Sequence, residues 1–138
     1  MKFFLDENMN QGMMGHLTSI FRAHEFVGVR ELGSKGMEDV DLFKHVADEE
    51  CDVFVTGDLA QLKRPLERQA CKAAGLHWIG VHQVHASGYH VVAGPASTLV
   101  HALPFIIDRL TKDEAPQYFQ LKKSERNNTQ VFHHHGDL

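Results

Sequence analysis

Residues 52–61 read DVFVTGDLAQ, and this stretch decides the fold. Val53, Phe54 and Val55 form an unbroken apolar run rather than an alternation, as expected of a strand buried on both faces. The run ends in Thr56, Gly57 and Asp58, so an acid stands where the strand stops. The N-terminal residues follow the same plan. In MKFFLDENMN, the run Phe3, Phe4 and Leu5 stops on Asp6, with Glu7 and Asn8 behind it.

Working outward, residues 2–6 read as a first strand. Asn8 or Asn10 caps a helix carrying Met13, Leu17, Ile20 and Phe21 at helical spacing. FVGVREL, residues 26–32, reads as the second strand, and residues 33–36 as a loop. Asp39 stands at a helix N-cap, with Val40, Phe43, Val46 and Ala47 facing inward. After the third strand, Pro65 opens a helix whose apolar side is Leu66, Ala70, Ala73 and Ala74, and Gly75 ends it. HWIGV, residues 77–81, is a fourth strand. Residues 96–110 are a helix that Pro104 must kink or split. QYFQL, residues 117–121, is an edge strand. Alternating strands and helices predict one three-layer α/β/α domain with a mainly parallel sheet of about five strands. This domain is expected over residues 1–123, followed by a polar tail over residues 124–138.

Composition agrees with that plan. A chain of 138 residues is long enough for a single buried core. Cys51 and Cys71 are too few for a disulfide framework and favour a reducing compartment. The short apolar run after Lys2 does not make a signal peptide, and no stretch reads as long enough to span a bilayer. A cytoplasmic protein without membrane attachment is expected. The net charge of −4 gives no general support for nucleic-acid binding, but it hides two opposed segments. Residues 31–50 hold seven acids against Lys35 and Lys44, whereas residues 59–75 hold Lys63, Arg64, Arg68 and Lys72 against Glu67 alone.

In open parallel sheets, ligands gather beyond the carboxyl ends of the strands. Asp6 and Asp58 stand at that rim, with Glu31 at the end of the second strand and Asp39 opening a helix. Converging carboxylates repel one another unless a cation sits among them, and hard ions such as Mg²⁺ take carboxylate ligands. Taken singly, each acid is also what a turn or a helix cap would use.

These residues carry a resemblance. LDEN after strand one, VREL at strand two, an acidic helix start, VFVTGD and then AAGLHWIGV together resemble the PIN-domain nucleases. More narrowly, they resemble the compact branch that includes the VapC-type toxins of toxin–antitoxin pairs. The similarity spans about residues 1–85. It implies an endoribonuclease that holds Mg²⁺ or Mn²⁺ on three or four acids, acts on RNA and is restrained by a cognate antitoxin. The acids implied are Asp6, Asp58 with Thr56 of the TxD motif, Asp39 with Asp41 as its rival one residue of spacing away, and more loosely Glu31. The family often adds an acid and an aromatic after TxD, where this chain has Leu59, Ala60 and Gln61.

The bases Lys63, Arg64, Arg68 and Lys72 suit RNA phosphates or, equally, a solvated helix face. Aromatic residues for base stacking are not evident among them. His82, His85, His90 and His133–His135 lack the paired spacing of a structural zinc site, and His45 suits a surface pair with Asp41. Two other functions fit the same acids. One is a receiver-like phosphoacceptor, which would need a lysine such as Lys122 near Asp58. The other is a degenerate PIN-like protein that binds RNA or a partner without cleaving. A homodimer is compatible with any of these readings.

Overall fold

The computed structural model describes residues 1–83, 88–112 and 115–122. Five parallel strands form one sheet in the order β2-β1-β3-β4-β5. They are β1 (Lys2–Leu5), β2 (Glu25–Gly28), β3 (Val53–Thr56), β4 (His77–Gly80) and β5 (Tyr118–Gln120). The helices are α1 (Met14–Ile20), α2 (Val29–Leu32), α3 (Asp39–Asp48), α4 (Pro65–Ala73) and α5 (His90–Leu110). The sheet separates two apolar layers. Phe3, Leu5, Val53, Val55 and Ile79 face α1 and α5, meeting Leu17, Leu99, Leu103, Ile106 and Leu110. Phe4, Phe54 and Trp78 face α3 and α4, meeting Leu42, Phe43, Val46 and Cys71. The doubly wound α/β/α sandwich expected from the unbroken apolar runs is therefore what the chain forms.

The order matters for the site. Chain connections run outward in opposite directions from β1 and β3, and the gap between two such strands is where ligands bind in doubly wound sheets. β1 pairs directly with β3, with Leu5 opposite Val55. Asp6 and Asp58, just past those ends, flank this gap.

Several local expectations need correction. FVGVREL is not one strand: β2 stops at Gly28 and α2 begins at Val29. The side chain of Glu31 reaches back to accept from the Gly28 amide at 2.9 Å, and Gly33 (φ 63°) closes the turn in the left-handed region. Those two caps outweigh the strand propensity of a short apolar run. In α3, Val40 points outward while Leu42, Phe43 and Val46 are buried, because the stripe facing the sheet begins two residues later than expected. In α4, Leu66 is 74% exposed, and Cys71 is the buried residue instead.

The last helix starts at His90 and runs unbroken through Pro95 and Pro104. Pro104 is on its exposed side, where a backbone bond lost to proline can be exchanged for water. At 21 residues and a mean hydropathy of 1.4, α5 is long and apolar enough to cross a membrane, contrary to the reading from sequence. Its inner stripe of Leu99, Leu103, Ile106 and Leu110 is nonetheless part of the sheet's core. His85, His133–His135 and the tail expected over residues 124–138 lie outside the described residues.

Candidate active site

The rim between β1 and β3 is built mostly from side-chain hydrogen bonds within LDEN and TGD. Asp6 is only 3% exposed. Its carboxylate accepts from the Thr56 hydroxyl at 2.7 Å, from Asn8 Nδ2 at 2.7 Å and from the Glu7 amide at 2.7 Å. Asn8 also accepts from the Gly57 amide at 2.7 Å, stitching the two strand ends together. Thr56, fully buried, accepts in turn from the Asp58 amide at 3.0 Å. Asn8 therefore serves the rim, and it is Asn10 that caps the helical turn before α1 by accepting from Gly12. Burial holds the Asp6 carboxyl above the usual aspartate range. The Thr56 and Glu7 hydrogen bonds oppose that rise, while the neighbouring charges of Asp39 and Glu7 add to it.

α3 brings in Asp39 from the acidic segment. Its Oδ1 accepts from Gln61 Nε2 at 3.0 Å, and Gln61 Oε1 accepts from the Trp78 indole at 3.1 Å. Gln61, 1% exposed, thus fixes Asp39 against the sheet from within the short stretch after TGD. Asp6, Asp39 and Asp58 line one cavity of about 210 Å³, together with Glu7, Ser34 and Gln61.

The start of α4 delivers both a cation, from its N-cap Arg64, and a further acid. Arg64 Nη1 stands 3.1 Å from Asp58, 2.8 Å from Glu67 and 3.6 Å from Asp39. Three carboxylates thus share one guanidinium, and the contacts with Glu67 and Asp58 raise the Arg64 pKa, the Glu67 hydrogen bond most. The Glu67 carboxyl is itself raised, first by burial and also by Asp39 beside it, with Arg64 pulling the other way. Glu67 was missed from the sequence. Its signal was its place as the sole acid in a basic segment, in the first turn of a helix opened by Pro65.

The other candidates are placed elsewhere. Glu31 is spent on the start of α2 and does not line the cavity. Asp41 is exposed on α3 and is not among the lining residues, so of the two rivals it is Asp39 that faces the site. His45 does not pair with Asp41, since its ring contacts the Leu32 carbonyl at 2.9 Å. Lys122 is likewise absent from the lining, and the cation at the acids is Arg64. Lys63, Arg68 and Lys72 are exposed, and the Arg68 guanidinium lies 5.9 Å from the ring centre of Tyr118. Both cysteines are free thiols that burial raises, Cys51 to about 11 and Cys71 to about 12, so neither is a thiolate nucleophile.

The donor set fits a hard divalent ion. All of the cavity's acidic donors are carboxylate oxygens, and the group already seated among them is positively charged. The Ser34 hydroxyl, buried in the cavity lining, has no protein partner among the described residues. In this arrangement no three His, Cys, Asp or Glu side chains among the described residues close on a single point as metal ligands do, and Arg64 is the cation that three of the acids share.

No curated protein and no solved structure matches the chain significantly. A family model described as a PIN-like domain matches residues 1–83, more than half of the chain. The matched segment contains LDEN, α3 with Asp39, VFVTGD and Glu67, the residues that build the acidic rim. PIN domains are generally nucleases, and PIN-like nucleases typically use divalent metals. By its sequence, its parallel sheet and the acids at the β1–β3 gap, this chain belongs to the PIN-like domain family.

Proposed function

We propose that the protein is a metal-dependent endoribonuclease working at the β1–β3 rim, and that it is the toxin of a toxin–antitoxin pair. The observation that carries the reading is the gathering of Asp39, Asp58 and Glu67 around one cation beside the buried Asp6. A structural role for four acids at one sheet edge would be poorly served by placing them where they repel. Asp6, Asp39 and Asp58 are the proposed ligands of Mg²⁺ or Mn²⁺, with Glu67 taking the place of the acid missing after TxD. When bound, such an ion supplies an activated water and stabilises the leaving oxygen of a phosphodiester.

The chain's own side chains do the positioning. Thr56 and Asn8 hold the Asp6 carboxylate in one orientation, and Gln61 does the same for Asp39. Arg64 neutralises the acids, and a guanidinium at this rim is also a strong partner for a phosphate. The resemblance to VapC-type toxins supports RNA as substrate and an antitoxin protein that occludes the acidic rim. The test is incubation of the purified protein with structured RNA, with Mn²⁺ and with chelator. Cleavage that requires Mn²⁺ and stops on chelation supports the reading. Intact RNA in Mn²⁺, or cleavage that persists in chelator, overturns it.

A further inference from the structure

Arg68 and Lys72, four residues apart, share one face of α4, and Arg64 stands at the N-cap just before it. Arg64 is tied to the acids, which leaves Arg68 and, about 6 Å further along the helix axis, Lys72. Neither has a carboxylate partner among the described residues. Between this stripe and β5 lies a pocket of about 270 Å³, floored by Leu62 and Trp78 and rimmed by Arg68, Lys72, Gln117 and Tyr118. It is smaller than the ~300–1,000 Å³ of ordinary small-molecule sites and suits a single planar ring.

Tyr118 pairs with Trp78 across β4 and β5, so both side chains project to the α4 face of the sheet. Trp78 fills the core there, while Tyr118, one strand further out, remains 61% exposed. An exposed ring with Arg68 over it and a lysine beside it presents stacking surface and positive charge together. That is the pairing used to hold single-stranded nucleic acid, in which bases stack on aromatic rings and cations track the phosphates.

We infer that the α4–β5 pocket is a nucleotide subsite. A base stacks on Tyr118 and Arg68, and Lys72 holds the adjoining phosphate of a strand that continues to the acidic rim. Among the described residues two cations rim the cleft and no carboxylate lines it, which matches a polyanion. The inference rests on the nuclease reading for the strand's direction, but binding here does not require cleavage.

The experiment measures binding of a short fluorescein-labelled single-stranded RNA in chelator, where metal-dependent cleavage is silent. Trp78, the chain's single tryptophan, lines the pocket and reports its occupancy by adenosine or uridine monophosphate through its emission. Tyr118→Ala is expected to weaken RNA binding about 5- to 100-fold, the equivalent of one lost stacking contact, while Tyr118→Phe keeps it. Tyr118 is exposed at an edge strand, and circular dichroism confirms that both variants fold. Equal affinity of Tyr118→Ala and wild type, or Trp78 emission that mononucleotide leaves unchanged, overturns the subsite. If the RNA binds only with Tyr118 or Phe present but is never cut in Mn²⁺, the subsite stands and the nuclease reading falls.

Discussion

Replacing Thr56 by Val removes a hydroxyl from the centre of the rim while keeping the side chain's shape. Thr56 is fully buried, donates to the Asp6 carboxylate at 2.7 Å and accepts from the Asp58 amide at 3.0 Å, so no cavity opens and the loss is that of these hydrogen bonds, the charge-assisted one foremost. Such bonds are worth about 1.5–3 kcal/mol, and the carboxylate left behind is buried with one partner fewer. The expected loss is about 2–3 kcal/mol at neutral pH. Its sign with pH follows from the carboxyl group. Asp6 is already raised above the ordinary value of 3.8, chiefly by burial, and the Thr56 bond is the largest influence opposing that rise. The variant's native state therefore holds the Asp6 proton to still higher pH. A carboxyl raised in the native state lowers stability as pH climbs from its unfolded value through its native one. The penalty of Thr56→Val is thus greatest at about pH 7 and shrinks toward about pH 4, as the native states of both proteins take up the Asp6 proton. Urea unfolding of both proteins at the two pH values measures this. Equal stabilities at neutral pH, or a loss that does not change with pH, would refute the role given to this hydrogen bond.

Two further outcomes follow from the same geometry. Millimolar Mn²⁺ should raise the unfolding temperature by mass action, more in Arg64→Ala than in wild type because the competing guanidinium is gone, and not at all in Asp6→Asn; calorimetric scans giving Arg64→Ala a smaller Mn²⁺ effect would mean that Arg64 assists rather than competes. Neutralising Lys63, Arg68 and Lys72 together should flatten the logarithmic salt dependence of RNA binding by up to about 2, at roughly 0.7 per lost phosphate contact; an unaltered slope in fluorescence titrations would assign these cations to a solvated face and send the RNA elsewhere, for instance past Arg30.

The sheet was legible because its strands announce themselves. VFV and FFL are too apolar for anything but a strand covered on both faces, and each stops at an acid. Asp6 and Asp58 could therefore be placed at the rim before the strand order was known. Glu31 could not, because FVGVREL reads as one run unless the spacing of Gly28, Glu31 and Gly33 is taken as a helix start and stop. Glu67 and Gln61 were hidden for a different reason. Each acts through a partner distant in sequence, Glu67 on Asp39 and Gln61 between Asp39 and Trp78, and such pairings exist only once α3 and α4 pack on the same face. The opposed acidic and basic segments were visible as composition, but only folding shows that Arg64 from one neutralises Asp39 from the other. The aromatic partner of the basic stripe went unseen because Tyr118 arrives from β5, fifty residues from Arg68.

The central claim is that carboxylates at the β1–β3 rim carry out RNA cleavage, and Asp58→Asn tests it most directly. Asparagine can still accept from the Ala60 amide through Oδ1, as Asp58 does at 2.9 Å, so the turn after β3 is preserved. The measurement is the single-turnover rate of RNA cleavage in Mn²⁺, on wild type and on a variant shown to be folded by its circular dichroism and melting curve. The account predicts that the folded variant loses cleavage while still binding RNA in chelator. Cleavage by folded Asp58→Asn at the wild-type rate would contradict it.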